Sequence, residues 1–470
     1  MDIQYDFGMI GLGVMGSNLL LNIADHGFAA IGYDLKLERA QALEAAANKE
    51  TVIKGVVDLG QMMGALKKPR KIMMLVPAGP PVDAVINSLL PFLEKGDIVI
   101  DGGNSYFKDT LKRVAALEEK GMHFFGMGVS GGELGARLGP SMMPGGDKEA
   151  YQYLKPILEA IAAKADDTPC VAYMGHGAAG HYVKMVHNGI EYAMMQMISE
   201  VYDILKRGAG FTNEELHHTF LAWNKGQLQS FLINITASVF KTKDEESDQF
   251  VVDIILDQAG SKGTGKWTSQ EAMDLAVSIP AIDTSVAFRN LSVYKSERAE
   301  AAKIYQPKIT PINLPREELV TELENALAFC FVIAYAQGLS LLAKASTELK
   351  MEIPLPSVIQ VWKAGCIIRS TLLGNFTNAF KLNPQLTNLL LDKEIATLLK
   401  NRENSLRKII NAAVTSKIPL PGIMSTLGYY DSYCSERMST NLIQAQRDLF
   451  GAHTYQRIDK PGSFHTEWHE

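Results

Sequence analysis

The chain has 470 residues, 47% of them hydrophobic and 21% charged; that is too long for one hydrophobic core and predicts two or three domains. Lys plus Arg number 46 against 52 Asp plus Glu, a formal charge of -6, so no broad attraction to nucleic acid or anionic membrane is expected. The cysteines Cys170, Cys330, Cys366 and Cys434 are scattered and form no C-x-x-C pair, which indicates neither a disulfide framework nor a thiolate zinc site. The start, from Met1 to Asp6, lacks the basic residues and apolar run of a signal peptide. No uncharged apolar segment reaches the roughly 20 residues that span a bilayer. A cytoplasmic enzyme is the expectation, with no metal site.

Phe7 to Ile10 read as a short buried strand, followed by Gly11-Leu12-Gly13-Val14-Met15-Gly16. A helical pattern runs on to His26, with Gly27 placed to end it, and a second strand covers Ala29 to Tyr33 before Asp34. Strand, glycine turn, helix and strand form the βαβ unit that binds a dinucleotide. The first glycine permits the tight turn, the second lets a pyrophosphate approach the backbone, and the third lets helix and strand pack. Asp34 stands where a carboxylate accepts both ribose hydroxyls and repels a 2′-phosphate, a reading that favours NAD. Capping of the next helix is the other reading of Asp34, and Lys36 and Arg39 add positive charge that complicates the choice.

Further strands are legible at Lys71–Val76, Asp97–Asp101 and His123–Val129. They end in Pro77-Ala78-Gly79, in Gly102-Gly103-Asn104-Ser105 and in Ser130-Gly131-Gly132. Loops at the carboxyl ends of parallel strands are where such sheets bind ligands, so the last two are expected to face one crevice and to meet a substrate carboxylate. Each read alone is equally an ordinary turn. Another element begins at Met142, and the sheet domain closes near Cys170–Tyr173.

From Gly175 onward helical periodicity takes over. Helices are predicted at 181–208, 213–222, 225–239, 248–257, 269–277, 317–346, 354–366 and 393–415. Trp223–Ser230 is faintly echoed by Trp362–Arg369, with Trp, Gly and an aliphatic residue at equal spacing; duplication and coincidence both account for it. The last stretch holds a short helix at Asn441–Gly451 and a polar tail with Phe464 and Trp468. Exposed aromatics suit docking on a neighbouring subunit, or the tail folds back on its own domain. The predicted fold class is therefore an α/β Rossmann-like dinucleotide-binding domain (1–176), a large all-α substrate and dimerisation domain (177–435) and a C-terminal tail (436–470).

The sharpest constellation is His181 to Tyr192. Lys184, Asn188 and Glu191 are spaced i, i+4 and i+7 and share one side of a helix, with His187 beside them. A surface salt bridge is the ordinary account of such a lysine and glutamate, but the intervening residues are apolar and Gly180 and Gly189 allow close approach. A lysine whose pKa is lowered by burial can take the hydroxyl proton of a secondary alcohol as hydride leaves. If the product is a β-keto acid, loss of CO2 gives an enediolate. The ammonium then stabilises it, and a glutamic acid protonates carbon.

These blocks resemble the 6-phosphogluconate dehydrogenases over essentially the whole chain. The similarity includes Gly11–Gly16, Ile100–Ser105, Gly128–Glu133, Gly180–Tyr192, Gly263–Trp267 and Asn441–Tyr455. It implies metal-independent oxidative decarboxylation of 6-phospho-D-gluconate to D-ribulose 5-phosphate and CO2, a step of the pentose phosphate pathway and of gluconate utilisation. It further implies Lys184 as general base and Glu191 as general acid. Asn104, Ser130, Gly131, Gly132, His187 and Asn188 would hold the carboxylate and hydroxyls. Tyr192, Lys262, Thr264 and Arg289 would hold the phosphate, completed by Arg447 and His453 of a homodimer partner. The implied cofactor set is Gly11, Leu12, Gly13, Val14, Met15, Gly16, Tyr33, Asp34, Leu35, Val76, Pro77, Ala78 and Asn104.

Two departures matter. Most relatives have Asn-Arg-Thr or Asn-Arg-Ser where this chain has Asp34-Leu35-Lys36, and many have lysine at Pro77. Both weaken the family's NADP contacts, so NAD is expected to be preferred, with NADP as a further possibility. Two rival readings are a β-hydroxyacid dehydrogenase acting on a smaller, unphosphorylated acid and a nucleotide-binding dimer without chemistry. Convergence of Lys262, Arg289 and Arg447 near Lys184 separates the first from a phosphate-specific enzyme.

Overall fold

Short apolar runs, each stopped by glycine, proline or aspartate, build the sheet. In the computed structural model, which describes residues 3–468, these are β1 (Phe7–Ile10), β2 (Ala30–Tyr33), β3 (Ile53–Val56), β4 (Lys71–Met74), β5 (Ile98–Asp101), β6 (His123–Ser130) and β7 (Ser141–Gly145). Met1, Asp2, His469 and Glu470, at the ends of the predicted N-terminal domain and tail, lie outside the described residues. The intervening helices are α1 (Val14–Asp25), α2 (Leu37–Ala45), α3 (Leu59–Ala65), α4 (Pro80–Leu89), α5 (Phe107–Glu118) and α6 (Gly132–Leu138). Helix α7 (Tyr151–Ile161) and a two-residue hairpin, β8 (Lys164–Ala165) with β9 (Thr168–Pro169), follow the sheet.

The strand order is β3-β2-β1-β4-β5-β6-β7, parallel throughout except for β7, which runs antiparallel to β6. The chain reverses direction across the sheet between β1 and β4, and the carboxyl ends there form the crevice where a dinucleotide binds in this architecture. Strand β3 escaped the sequence reading because Ile-Lys-Gly-Val is an edge strand with a half-covered face. Gly55 is needed there, since a Cβ would collide with the Ala40 backbone.

The predicted helical region follows, centred on two long helices. Helix α8 (Ala179–Asp203) continues into one π-helical turn at Ile204–Gly208. Next come α9 (Asn213–Trp223), α10 (Phe231–Lys241), α11 (Val251–Ile254), α12 (Thr264–Asp274), α13 (Pro280–Ser292) and α14 (Lys295–Tyr305). Then α15 (Arg316–Glu348), α16 (Leu355–Trp362), α17 (Leu372–Leu382), α18 (Lys393–Thr415) and α19 (Pro421–Tyr433) complete it. Every residue of α15 from Ala326 to Leu339 is buried, as an all-round apolar helix requires. By length and composition α15 could cross a membrane, but 89% of its apolar window is covered by the rest of the protein.

Within this helical region, four helices, α13, α14, α17 and α19, were not predicted. Both α13 and α19 begin with proline at the first turn, where its missing N–H costs nothing, but glycine, serine and threonine blur their periodicity. The helix expected over 225–239 starts at Phe231, because Trp223 to Gln229 form a turn. The one expected to reach 366 stops at Trp362, before Gly365 at φ +67°.

Helices α10 and α17, like α13 and α19, start 141 residues apart, whereas the echoing segments are displaced by 139. The two segments come together where Ser230 forms an antiparallel bridge with Ser370, the residue after Arg369. The tail forms α20 (Thr440–Gly451) and a hairpin of β10 (Tyr455–Gln456) with β11 (Ser463–Phe464). It is organised around Asp448, whose buried carboxylate accepts from Thr454 and Thr466 N–H groups and from the Trp468 indole. Leu442, Ile443, Leu449, Phe450 and Ile458 stay exposed on it.

Candidate active site

A cleft of about 480 Å³ opens at the carboxyl ends of β1, β2 and β4, lined by Gly11, Gly13, Tyr33, Asp34, Leu35, Arg39, Val76 and Pro77 among others. Its glycines behave as their spacing demands. Gly11 has φ +91°, and a side chain there would press on the Leu75 carbonyl. A Cβ on Gly13, the residue before α1, would meet nothing within 4 Å, so the backbone is bare to a ligand. A Cβ on Gly16 would strike the Gly11 carbonyl oxygen. Leu12, Val14 and Met15 lie on the same turn and first helical residues, with Val14 exposed at the helix N-terminus. The residues therefore fit a dinucleotide, whose pyrophosphate would sit at the N-terminus of α1.

Asp34 is buried, and both its oxygens are occupied. It accepts from the Leu12 N–H at 2.9 Å, the Lys36 N–H at 3.0 Å and the Arg39 guanidinium at 3.1 Å. Burial opposes its charge, but those three donors hold its pKa below the ordinary carboxylate value. The carboxylate thus ties the glycine turn to the second strand and aims Arg39, itself half exposed, along the cleft wall.

The second centre is built on α8. Lys184, His187 and Asn188 are buried, and Glu191 is largely covered. The Lys184 Nζ lies 3.5 Å from His187 Nδ1, which is 3.0 Å from Asn188 Oδ1 and 3.8 Å from Glu191. His187 Nε2 is 3.4 Å from the Ser130 hydroxyl, which accepts from the Ile367 N–H. Asn188 donates to the Thr264 hydroxyl at 3.1 Å. Burial lowers the Lys184 pKa, partly offset by Glu191 and Cys366. Burial raises that of Glu191 against the pull of Lys184 and Arg289. His187 is pushed well down by burial and by the nearby lysine, and so is neutral. A lysine poised toward the free amine and a carboxyl poised toward its acid share one face, the pairing that acid–base chemistry needs.

The approach of α8 to the sheet depends on glycines. A Cβ on Gly128 would run into the Lys184 side chain, and one on Gly180 into the Gly126 and Met143 carbonyls. His181, also buried, lies between the Thr110 hydroxyl at 2.7 Å and the Asp101 carbonyl at 3.0 Å, fastening α8 beside the loop that carries Asn104. Asp101 also accepts from Ser105 and from the Gly103 N–H.

Gly131 and Gly132, at φ +124° and +63°, follow Ser130 against the Gly365 carbonyl. Tyr192 stacks under the Arg289 guanidinium at 3.6 Å, and Thr264 opens α12 directly after Gly263. Asn104 and Lys262 are exposed, Asn104 at its loop tip and Lys262 two residues before α12. Arg447 and His453 sit exposed on the tail. Ala78 lies in the loop after β4, before α4. Sequence reasoning missed Trp362, whose ring meets His187 edge-on at 5.9 Å, and Cys366 near Lys184. Both come from about 180 residues downstream, and no local pattern marks them.

Known proteins now bear on this geometry. The family model for the NAD binding domain of 6-phosphogluconate dehydrogenase matches residues 6–175, and that for the 6-phosphogluconate dehydrogenase C-terminal domain matches residues 180–468. The decarboxylating 6-phosphogluconate dehydrogenase of Lactococcus lactis subsp. lactis is 49% identical over 469 residues, covering 99% of each chain. The NADP(+)-dependent, decarboxylating enzyme of Bacillus subtilis is 49% identical over 466 residues, again covering 99% of each. Plasmodium falciparum 6-phosphogluconate dehydrogenase, solved in its apo form, with its cofactor NADP+ and with its substrate 6-phosphogluconate, is 43% identical and matches all of both chains with a TM-score of 0.95.

These relatives correct the expected NAD preference. The Bacillus enzyme is NADP(+)-dependent and the Plasmodium enzyme has NADP+ as its cofactor. The physical reason lies in Asp34: its carboxylate stays charged, but it is paired with the Arg39 guanidinium and its oxygens are filled by Leu12 and Lys36 as well, so it is not a free anion facing a 2′-phosphate. Arg39, one of the two positive charges that complicated the reading of Asp34, stands on the cleft wall beside it. By both of its parts and along its full length, the chain belongs to the 6-phosphogluconate dehydrogenase family.

Proposed function

We propose that the chain is an NADP-dependent 6-phosphogluconate dehydrogenase that oxidises and decarboxylates 6-phosphogluconate to ribulose 5-phosphate and CO2. The observation that carries this reading is the buried pair Lys184 and Glu191 on one face of α8, with pKa values moved toward the free amine and the free acid. Lys184 takes the proton of the secondary hydroxyl β to the carboxylate. The dinucleotide, when bound, supplies the hydride acceptor. The resulting β-keto acid loses CO2, and the ammonium of Lys184 stabilises the charge that builds on the oxygen and returns its proton there, leaving an enediol and the neutral amine. Glu191 then gives a proton to carbon, and Lys184 receives the enediol proton as the ketone forms.

Ser130, Gly131, Gly132, Asn104, His187 and Asn188 orient the carboxylate and hydroxyls in this reading. Tyr192, Lys262, Thr264 and Arg289 receive the phosphate, with Arg447 of the partner subunit and His453 of the partner subunit closing it. The exposed apolar residues of the tail support a homodimer, because such a surface is costly to leave in water. The division into a cofactor domain (1–176), a helical domain (177–435) and a tail (436–470) belongs to the same proposal.

Initial rates with NADP and varied 6-phosphogluconate test the reading; a rate that does not depend on the sugar acid overturns it. Arg39→Ala should raise the KM for NADP by about tenfold or more while leaving kcat within a few-fold, as loss of one charge-assisted phosphate contact implies. An unchanged KM would remove Arg39 from the 2′-phosphate site.

A further inference from the structure

Away from both centres, a cavity of about 560 Å³ lies where the two echoing segments meet. Its wall contains Lys363 and Arg369 with a single carboxylate, Asp166, the hydroxyls of Ser230, Ser370 and Thr371, and the amides of Asn224, Gln229 and Asn234. None of the dinucleotide or α8 residues lines it. We propose that this cavity is a second ligand site, for a phosphomonoester of a small polyol.

The charge balance points to an anion. Arg369 is half buried, and burial weighs against its charge with no carboxylate to offset it. One guanidinium nitrogen donates to the Cys366 carbonyl and one face covers the Phe231 ring at 4.0 Å. Its remaining donors have no protein partner among the described residues. Lys363 is nearly covered, and its one acidic neighbour, Asp166 at 3.4 Å, is 86% exposed. A carboxylate so well hydrated screens a cation only weakly.

The backbone adds to this. The first turns of α10 and α17, each 11 residues long, border the same cavity through Ser230, Phe231 and Asn234 on one side and Thr371 and Gly374 on the other. Their dipoles place positive potential on the space that Arg369 and Lys363 already face. A phosphate dianion meets the cations, and the hydroxyl and amide groups suit the hydroxyls of the polyol. The volume falls in the range of small-ligand sites. In the first echoing segment, Asn224 and Ser230 stand at the places of Lys363 and Arg369, so the cations come from the second segment alone.

Equilibrium dialysis of the full-length protein without dinucleotide, with inorganic phosphate as the probe, tests the assignment. The Arg289→Met chain, which lacks a cation of the substrate phosphate site, is the parent. It should retain one phosphate per chain, and adding Lys363→Met or Arg369→Met should weaken that binding by about tenfold or more. No phosphate on the parent, or equal binding by both double variants, overturns the proposal. Lys363, on the cavity rim and outside the packed core, keeps the test decisive should the Arg369 change unsettle its loop.

Discussion

Helices α8 and α15 run side by side through the helical region, and at the 141-residue displacement that separates α10 from α17 and α13 from α19 they carry different residues. In α8 the positions of interest are Lys184, His187, Asn188, Glu191 and Tyr192; in α15 the same places hold Asn325, Ala328, Phe329, Val332 and Ile333. The one helix spends its buried face on ionisable groups, and the other fills the same face with hydrocarbon. Gln196 and Gln337 are the shared residue, and even they diverge. Gln337 accepts directly from the Ala281 N–H at the start of α13. Gln196 instead donates to Glu200, whose carboxylate accepts from the Gly422 and Ile423 N–H groups at the start of α19. Leu341 stands where a second Glu200 would be. One framework thus tolerates either a reactive or an inert central helix, provided the neighbouring helix starts are capped.

The comparison can be broken most directly at its chemical end. Lys184→Met should lower kcat by about 10³–10⁴-fold, the scale of a lost general base, while dinucleotide binding persists. Its counterpart Asn325→Met should leave kcat within a few-fold. Comparable losses in both would mean the two halves differ less than their residues suggest. Glu191→Gln should cost about 10²-fold or more and should change the pH profile. Burial raises the Glu191 pKa, so its acid form is lost, and kcat falls, as pH rises through that value. The glutamine variant should lack that falling limb; its persistence would assign the limb to another group.

The smallest effect separates the two caps. Burial pushes Glu200 up to about 7, against the hydrogen bonds from Gln196, Ile423 and Gly422. A carboxyl whose folded pKa is raised adds stability below its unfolded pKa and loses it as pH climbs through the folded one. Relative to Glu200→Gln, the wild type should therefore weaken between about pH 5 and pH 8, by on the order of 2–3 kcal/mol at most. Urea unfolding across that range measures it. A flat difference would show that Glu200 does not titrate in the folded state. Gln337, a neutral amide, should cap α13 equally at every pH, which hydrogen exchange at the Ala281 N–H reads.

What the sequence yielded, and what it withheld, follows the range of the interactions. The glycine turn and the α8 face are written in adjacent residues, so spacing alone located Gly11, Gly13, Gly16, Lys184, Asn188 and Glu191. Asp34 was located correctly and its effect misjudged, because its partners Leu12 and Arg39 decide what a carboxylate does there. Trp362 and Cys366 reach Lys184 and His187 through tertiary packing alone. Helices α13 and α19 were invisible because they are amphipathic only weakly and are fixed by their prolines and by the caps from Gln337 and Glu200.

Where α8 leaves the sheet, Gly145 and Gly180 bring backbone against backbone, while Gly126 and Gly128 make room for the His181 and Lys184 side chains. Such a seam has no slack. Lys184 is thereby seated directly on the strand that leads to Ser130, with no layer of side chains to absorb a shift between them. An alanine at Gly128 would press its Cβ directly on the Lys184 side chain and shift the amine.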